Sequence, residues 1–168
     1  MKILENIIGQ PQIVTILESA VLASRKYNNS SQELTHSWLF TGPTGSGRSM
    51  AAQTFAAALV CSNGGCGTCI DCETAMNGSH LDIEIMKIDG LSIKVDEIRE
   101  LISRSSFAPS VNNWRVIVLR EVERLTEAAA NALLKAVEEP GSRTIWLLSA
   151  TSILDVSPTL RSRCRHIQ

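Results

Sequence analysis

The chain has no excess of positive charge, few aromatic side chains and no long apolar run, and each shortage removes a class of protein. Basic and acidic side chains number 16 and 17, which leaves a formal net charge of −1, and aromatic residues make up 4%. No overall basic field is therefore available for nucleic acid or a membrane surface, and any DNA contact must be local. No apolar stretch approaches the roughly 20 residues that span a bilayer, and residues 1–5 lack the apolar core of a secretion signal. We expect a cytoplasmic protein of one domain, since 168 residues suffice for one core.

A glycine-rich loop lacks one residue of its motif, a lysine. In the run G-P-T-G-S-G-R-S, Gly42, Gly45 and Gly47 allow backbone N–H groups to approach phosphates, and the following helix N-terminus adds partial positive charge. Ser49 keeps the hydroxyl that is expected to reach Mg²⁺. Arg48 stands in the lysine position, and its planar guanidinium cannot replace a compact ammonium at the outer phosphates in the same way. The substitution threatens hydrolysis more than nucleotide binding.

A second departure lies where a nucleotide hydrolase places its carboxylates. The predicted strand at residues 115–119 is followed by Arg120 and Glu121. An aspartate is expected in place of Arg120, because Mg²⁺ requires oxygen ligands at that strand end. Glu121 alone keeps the position of the base. Because Arg48 and Arg120 change both motifs that hydrolysis needs, a noncatalytic domain is favoured over an active hydrolase. The simpler alternative is that Arg120 is only a solvated charge at the end of a strand.

Four of the five cysteines form a compact cluster. Cys61, Cys66, Cys69 and Cys72 follow the spacing C-x₄-C-x₂-C-x₂-C, and disulfides are not expected in a reducing compartment. Four thiolates can enclose one tetrahedral ion, and Zn²⁺ suits a closed, structural sulfur site best. Four unliganded thiols and an iron–sulfur cluster are the alternatives. Cys164, distant in sequence, is predicted to be a buried apolar residue.

Strand and helix patterns alternate along the chain, which predicts an α/β fold with a parallel sheet covered on both faces. Helices are predicted to begin at Pro11 and at Ser49. Two further helices are predicted to follow the capping residues Ser92 and Thr126. The polar stretch 25–35 is predicted to be a loop. Strands are predicted at residues 37–41, 82–88, 115–119 and 144–148.

Together these motifs resemble the AAA+ subunits of bacterial clamp loaders. The similar stretches run through nearly the whole chain, at residues 8–10, 36–40, 131–135, 138–140 and 162–164 and at the four-cysteine insert. The resemblance implies a P-loop NTPase fold with a five-stranded parallel sheet, nucleotide at the carboxyl ends of the strands, and a zinc-binding insert at about residues 61–72. It also implies one ATPase-like domain over residues 1–168, with lid and collar domains outside this chain.

Within that family, the motor subunits gamma and tau carry lysine in the glycine loop and Asp-Glu at the carboxylate strand. This chain carries neither, so it resembles the stator-like delta-prime subunits. The resemblance implies a noncatalytic part of the DNA polymerase III holoenzyme, with ATP or ADP binding weak or absent. The implied partners form a hetero-oligomer: gamma/tau and delta subunits, with the sliding clamp and primer-template DNA reached through the complex and no membrane.

The resemblance also assigns roles to three residues in the second half of the chain. Arg163, in Ser-Arg-Cys, is expected to be an arginine finger for ATP held by a neighbouring motor subunit. Without the resemblance, Arg161, Arg163 and Arg165 would read as an ordinary basic surface turn. Thr151 falls at the first sensor position of the family, and Glu121 at a vestigial base position.

Two other functions stay open from the sequence. The chain could be an ATP-hydrolysing motor subunit of the same loader, in which Arg48 and Arg120 are tolerated. It could instead be a zinc-stapled interaction module whose nucleotide loop is vestigial. ATP turnover by the chain itself would indicate the motor subunit. An Arg163 variant that leaves ATP hydrolysis by the assembled loader unchanged would indicate the interaction module.

Overall fold

The computed structural model describes residues 1–26, 35–86, 88, 90–111 and 114–168. Its helices are α1 (Pro11–Arg25), α2 (Arg48–Val60), α3 (Ile70–Met76), α4 (Val95–Ser105), α5 (Glu127–Glu138) and α6 (Pro158–Arg161). Its strands are β1 (Ser37–Thr41), β2 (Ile83–Ile85), β3 (Arg115–Leu119), β4 (Thr144–Ala150) and β5 (Arg165–Ile167). Short 3-10 turns lie at Lys2–Asn6, Val122–Arg124 and Ile153–Asp155.

The five strands run parallel in one sheet, in the order β2-β3-β4-β1-β5. The α/β fold with a five-stranded parallel sheet is therefore confirmed. Every residue of the central strands β1 and β4 is buried, since helices cover both faces. Because the carboxyl ends of parallel strands share one edge, the segments that follow β1, β3 and β4 all lie at that edge. The glycine loop follows β1 there.

Alternate residues of β1 face two separate hydrophobic cores. Trp38 and Phe40 pack with Phe55 of α2 in the first core, and Leu39 packs with Trp146 and the apolar side of α4 and α5 in the second. The rings of Trp38 and Phe55 meet edge-on, with centroids 5.1 Å apart. This alternation follows from the two-residue period of a strand. The first core holds α2, and with it the glycine loop, against the sheet.

Helix starts follow the predictions except at α4. Thr126 caps α5, since its hydroxyl accepts a hydrogen bond from the backbone N–H of Ala129 at 3.2 Å. Ser92 is not the cap of α4, so that prediction is wrong. The cap is Lys94, whose backbone N–H donates to Glu97 Oε2 at 2.7 Å. Among the described residues, no helix is both long and apolar enough to cross a membrane.

One strand, β5, and two short helices, α3 and α6, are not predicted from the sequence. β5 includes Arg165 of the basic turn, and three residues at the edge of a sheet carry too little periodicity to indicate a strand. α3, seven residues long, begins directly after Cys69. The strand predicted at residues 82–88 is confined to β2. Most of the predicted loop at 25–35 lies outside the described residues, and α1 ends at Arg25.

Replacing Thr126 by alanine should lower the free energy of unfolding by about 1 kcal/mol, because an N–H at the start of α5 loses its side-chain acceptor. Urea unfolding of the wild type and the variant measures the difference. Thr126→Ser is the matched control, since it keeps the hydroxyl. Equal unfolding midpoints for Thr126→Ala and the wild type would show that the cap contributes nothing.

Candidate functional site: a phosphate loop, a cysteine cluster and a distant arginine

The glycine loop connects β1 to α2 in a tight turn that depends on its glycines. Gly45 and Gly47 have φ angles of 86° and 85°, in the left-handed region that side chains rarely adopt. A Cβ atom on Gly42 would collide with the Ser46 hydroxyl. The backbone of Ala51 donates to Gly47 O at 2.8 Å, so the helix begins directly at the loop. Strand, loop and helix form the arrangement that presents backbone N–H groups to an anion.

Arg48, at the first position of α2, folds back over its own loop. Its Nη1 donates to Gly42 O at 2.7 Å, which joins the two ends of the loop. Its Nε is buried and has no hydrogen-bond acceptor among the described residues. Ser49, next on the helix, is half-buried. The Arg48 guanidinium therefore stabilises the loop through Nη1, while its Nε makes no hydrogen bond within the described residues.

An apolar pocket of about 390 Å³ adjoins the loop. Its lining includes the apolar side chains of Ile7, Ile13, Phe40, Met50 and Ile167, together with Gly47 and Arg48 of the loop. An apolar cavity beside a phosphate cradle suits a planar base attached to a phosphate chain. Sequence reasoning did not predict this pocket. The stretch Ile8-Gly9-Gln10, which carried part of the resemblance, was the signal that could have located it.

The carboxyl edge of the sheet carries a positive charge at position 120, where an acidic residue was expected. Arg120 follows β3, and its Nη2 donates to Gln53 Oε1 of α2 at 3.3 Å, while its Nε is buried and finds no acceptor in the described part of the chain. Glu121 has a left-handed backbone with φ of 52°, and its carboxylate pairs with Arg124. The base position is thus present, but its carboxylate is engaged by a neighbouring cation. A polar groove of about 800 Å³ lies along Arg120 and Glu121.

Thr151, at the end of β4, is held by a residue that sequence reasoning missed. Its backbone N–H and hydroxyl both donate to Glu123 Oε1, at 3.1 and 2.8 Å. Glu123 lies in the 3-10 turn after β3, so this pair ties two adjacent strand ends together. The hydroxyl of Thr151 thus has a structural partner within the chain. The sequence shows that Glu123 is an acidic residue close to the predicted strand end. Its contact with Thr151 could not be predicted, because that contact depends on the order of the strands in the sheet.

The four cysteines converge, with their sulfur atoms all within 4.8 Å of one another. Cys61 Sγ lies 3.8 Å from Cys66 Sγ and 3.5 Å from Cys69 Sγ. A tetrahedral Zn²⁺ with bonds of about 2.3 Å to sulfur holds its ligands about 3.8 Å apart, so the donor set fits this ion. With four thiolates and no open position, a bound ion would fold the segment and perform no chemistry.

Local interactions pull the thiol pKa values of the cluster in opposite directions. The backbone N–H of Thr68, with help from Cys69, lowers the pKa of Cys66 to about 6. Burial raises the pKa of Cys69 and of Cys72. A cation entering the cluster must displace protons from the buried thiols. Cys164 lies outside the cluster and packs against the second core, but it is half-buried and not fully buried as predicted.

The cysteine segment is attached to the domain at three places. The backbone of Ile3 donates to Gly65 O at 3.1 Å, and a Cβ atom on Gly65 would lie 2.7 Å from the Ile3 side chain. Arg25 Nη2 donates to Cys61 O at 3.3 Å. From α2, Gln53 donates to Met76 O at 2.6 Å, at the end of α3. Since Gln53 also accepts from Arg120, the cysteine segment and the carboxylate edge share one side chain.

Arg163 lies apart from all these residues. It follows α6 and precedes β5, where its Nε pairs with Glu138 of α5 and its Nη1 donates to Thr159 O at 2.8 Å. The first residue of β5 is level with Trp38 near the start of β1, and the last is level with Phe40. Arg163 is therefore at the amino edge of the sheet, opposite the glycine loop.

A glycine-rich loop between the first strand and the next helix of a parallel sheet is the arrangement of a P-loop NTPase-like domain. The family described as "DNA polymerase III, delta subunit" matches residues 17–168. The chain belongs to this family of clamp-loader subunits.

Curated relatives carry the names of other subunits of the same assembly. The chain is 36% identical over 167 residues to DNA polymerase III subunit tau of Bacillus subtilis, covering 96% of the chain and 28% of the relative. It is 34% identical to subunit gamma/tau of Mycobacterium tuberculosis, covering 96% of the chain and 27% of the relative. The chain thus spans less than a third of these relatives. They support the clamp-loader family and leave the type of subunit open.

Solved structures with the same fold come from Thermotoga maritima. A gamma subunit-related protein aligns with a TM-score of 0.62 and 19% identity, covering 90% of this chain and 44% of its own. A RuvB variant aligns with a TM-score of 0.57 and 18% identity, covering 95% and 44%. At these identities the likeness establishes the fold alone.

Replacing Cys69 by serine should abolish stoichiometric zinc in the purified protein and lower its melting temperature, because three thiolates no longer close the site. Elemental analysis and a thermal melt measure both effects. Cys164→Ser is the matched control and should retain the wild-type zinc content. A wild-type protein without bound metal, or unchanged zinc in Cys69→Ser, would contradict the assignment.

Proposed function

We propose that this chain is the ATPase-like domain of a noncatalytic, delta-prime type subunit of the clamp loader, which presents Arg163 to ATP held by a neighbouring subunit. The proposed partners are gamma/tau and delta subunits, and the sliding clamp and primer-template DNA are reached through the assembly. The cysteine cluster supplies a structural zinc site. The protein contributes to loading of the clamp without turning over ATP itself.

The position of Arg163 is the observation that carries this proposal. It lies at the amino edge of the sheet, whereas the glycine loop lies at the carboxyl edge. A guanidinium so placed cannot reach a phosphate in its own loop, but it can face a nucleotide on another subunit. Arg163 is exposed, and its partner Glu138 is also at the surface. An exposed ion pair is worth little, so exchange of Glu138 for a γ-phosphate costs little.

The carboxyl edge supports the noncatalytic half of the proposal. Arg120 replaces the acidic residue that would hold a metal, and Arg124 engages the Glu121 carboxylate. A water nucleophile would therefore lack a metal-bound phosphate at this edge, and the base position at Glu121 is paired with Arg124 in a partly exposed ion pair. Arg48 braces the loop instead of extending an ammonium toward an outer phosphate.

A motor subunit is the second candidate, because relatives from several bacteria are named gamma or tau. These relatives match nearly the whole chain at 33% to 36% identity. The motor candidate requires hydrolysis despite arginine at both motif positions. ATP turnover by the subunit itself separates the two candidates.

Replacing Arg163 by alanine in the full-length subunit should slow ATP hydrolysis by the assembled loader. An arginine finger contributes about 10³-fold or more to turnover at the site it serves, so that site should fall silent while others continue. Steady-state hydrolysis by the loader with primed DNA measures the loss. Arg161→Ala, which removes a neighbouring basic side chain, is the matched control. An unchanged rate for Arg163→Ala would favour the zinc-stapled interaction module.

The purified full-length subunit should show no ATP turnover above background. Release of phosphate is measured for the wild type and for Arg48→Ala, with the separately purified gamma/tau subunit as the positive control. Turnover that exceeds background and disappears in Arg48→Ala would establish a motor and contradict the stator proposal. Turnover that persists in Arg48→Ala would indicate a contaminating ATPase.

A further inference from the structure

The residues around Ser49 do not fit the magnesium ion that a P-loop domain ordinarily uses. Such an ion needs oxygen ligands from the loop hydroxyl and from an acidic residue at the end of the adjacent strand. Ser49 supplies the first. Arg120 occupies the position of the second, and a guanidinium repels a divalent cation.

The place of Arg120 is defined by its contact with α2. Ser49 and Gln53 are four residues apart and share one face of that helix. The Arg120 guanidinium reaches Gln53 Oε1 at 3.3 Å, so it lies along the face that begins with Ser49. A cation bound by the Ser49 hydroxyl would meet a positive charge on this side.

The nearby carboxylates do not compensate for this charge. The Glu121 carboxylate is paired with Arg124. Glu123 Oε1 accepts two hydrogen bonds from Thr151, and Glu123 lines a pocket with Val156 and Leu160, away from the groove that Arg120 lines. Glu121 is held in a partly exposed ion pair, and Glu123 Oε2 has no hydrogen-bond partner among the described residues, but neither carboxylate stands at position 120, where the metal ligand is missing.

We propose that this phosphate loop binds a nucleoside di- or triphosphate without Mg²⁺, with Arg48 and Arg120 as the counter-ions of the phosphate chain. Each guanidinium retains a buried Nε without an acceptor among the described residues, and a phosphate oxygen reached by a small turn of the side chain would satisfy that donor. Arginine pairs with phosphate through planar, charge-assisted hydrogen bonds. The apolar pocket beside the loop would accept the base. This inference rests on the P-loop family and is independent of the role of Arg163.

Calorimetric titration of the full-length subunit with ADP and with ATP tests the proposal, once in excess EDTA and once in excess Mg²⁺. The two dissociation constants should agree within about threefold, because the protein's own charges replace the metal. Binding that is more than about tenfold tighter in Mg²⁺ would overturn the proposal. Absence of binding in both buffers would overturn it as well.

Two variants of Arg120 assign the effect to this residue. Arg120→Gln keeps a polar side chain near Gln53 and should weaken binding in EDTA about tenfold, through loss of one charge-assisted contact. Arg120→Asp, unlike the wild type, should bind nucleotide more tightly in Mg²⁺ than in EDTA, because the new carboxylate supplies the missing oxygen ligand. Wild-type affinity and metal independence in both variants would overturn the role of Arg120.

Arg99→Asp is the control for the charge change, since Arg99 is an exposed residue of α4 far along the chain from the loop. It should bind nucleotide as the wild type does in both buffers. Thermal melts of all variants separate loss of binding from loss of fold. If Arg163→Ala slows the loader while nucleotide binding here proves metal-dependent, the stator proposal stands and this inference fails.

Discussion

The carboxyl edge of the parallel sheet is the constraint on which the rest of the structure depends. Strands β1, β3 and β4 are buried between two cores, and their parallel direction brings their following segments to one place. The glycine loop, Arg120 and Thr151 meet there because of strand order, although they are far apart in the chain. The same direction sends Arg163 to the opposite edge. One sheet thus separates the chain's own phosphate loop from Arg163.

At that edge, one position carries a charge opposite in sign to that of a nucleotide hydrolase, because Arg120 stands where an acidic residue is expected. Arg48 stands in place of a lysine and Arg120 in place of an acidic residue, while Arg124 forms an ion pair with the Glu121 carboxylate. Hydrolysis needs a metal and a free base, whereas retention of a phosphate chain needs only positive charge and backbone donors. The edge therefore presents positive charge and backbone donors, and it lacks the acidic residue at position 120 that a metal requires.

The cysteine segment is linked to this edge through Gln53. That side chain donates to the end of α3 and accepts from Arg120, so the segment and the strand end are held by one residue of α2. The turn 61–72 is rich in glycine and polar residues and has little apolar surface to bury. A metal ion can supply the folding energy that such a segment lacks, on the order of 10 kcal/mol. The cluster then supports α3 and, through it, one side of the nucleotide region.

The sequence by itself determined the α/β class, the phosphate loop and the cysteine cluster, because each depends on local spacing. Glycines at 42, 45 and 47 and cysteines between 61 and 72 are close enough in the chain to act together in any fold. Only the tertiary structure decided what long-range packing controls. It brought Glu123 to Thr151, folded Arg48 onto Gly42 and added β5 as an edge strand. It also placed Arg163 across the sheet from the loop, since strand order and direction fix distances that no motif spacing encodes.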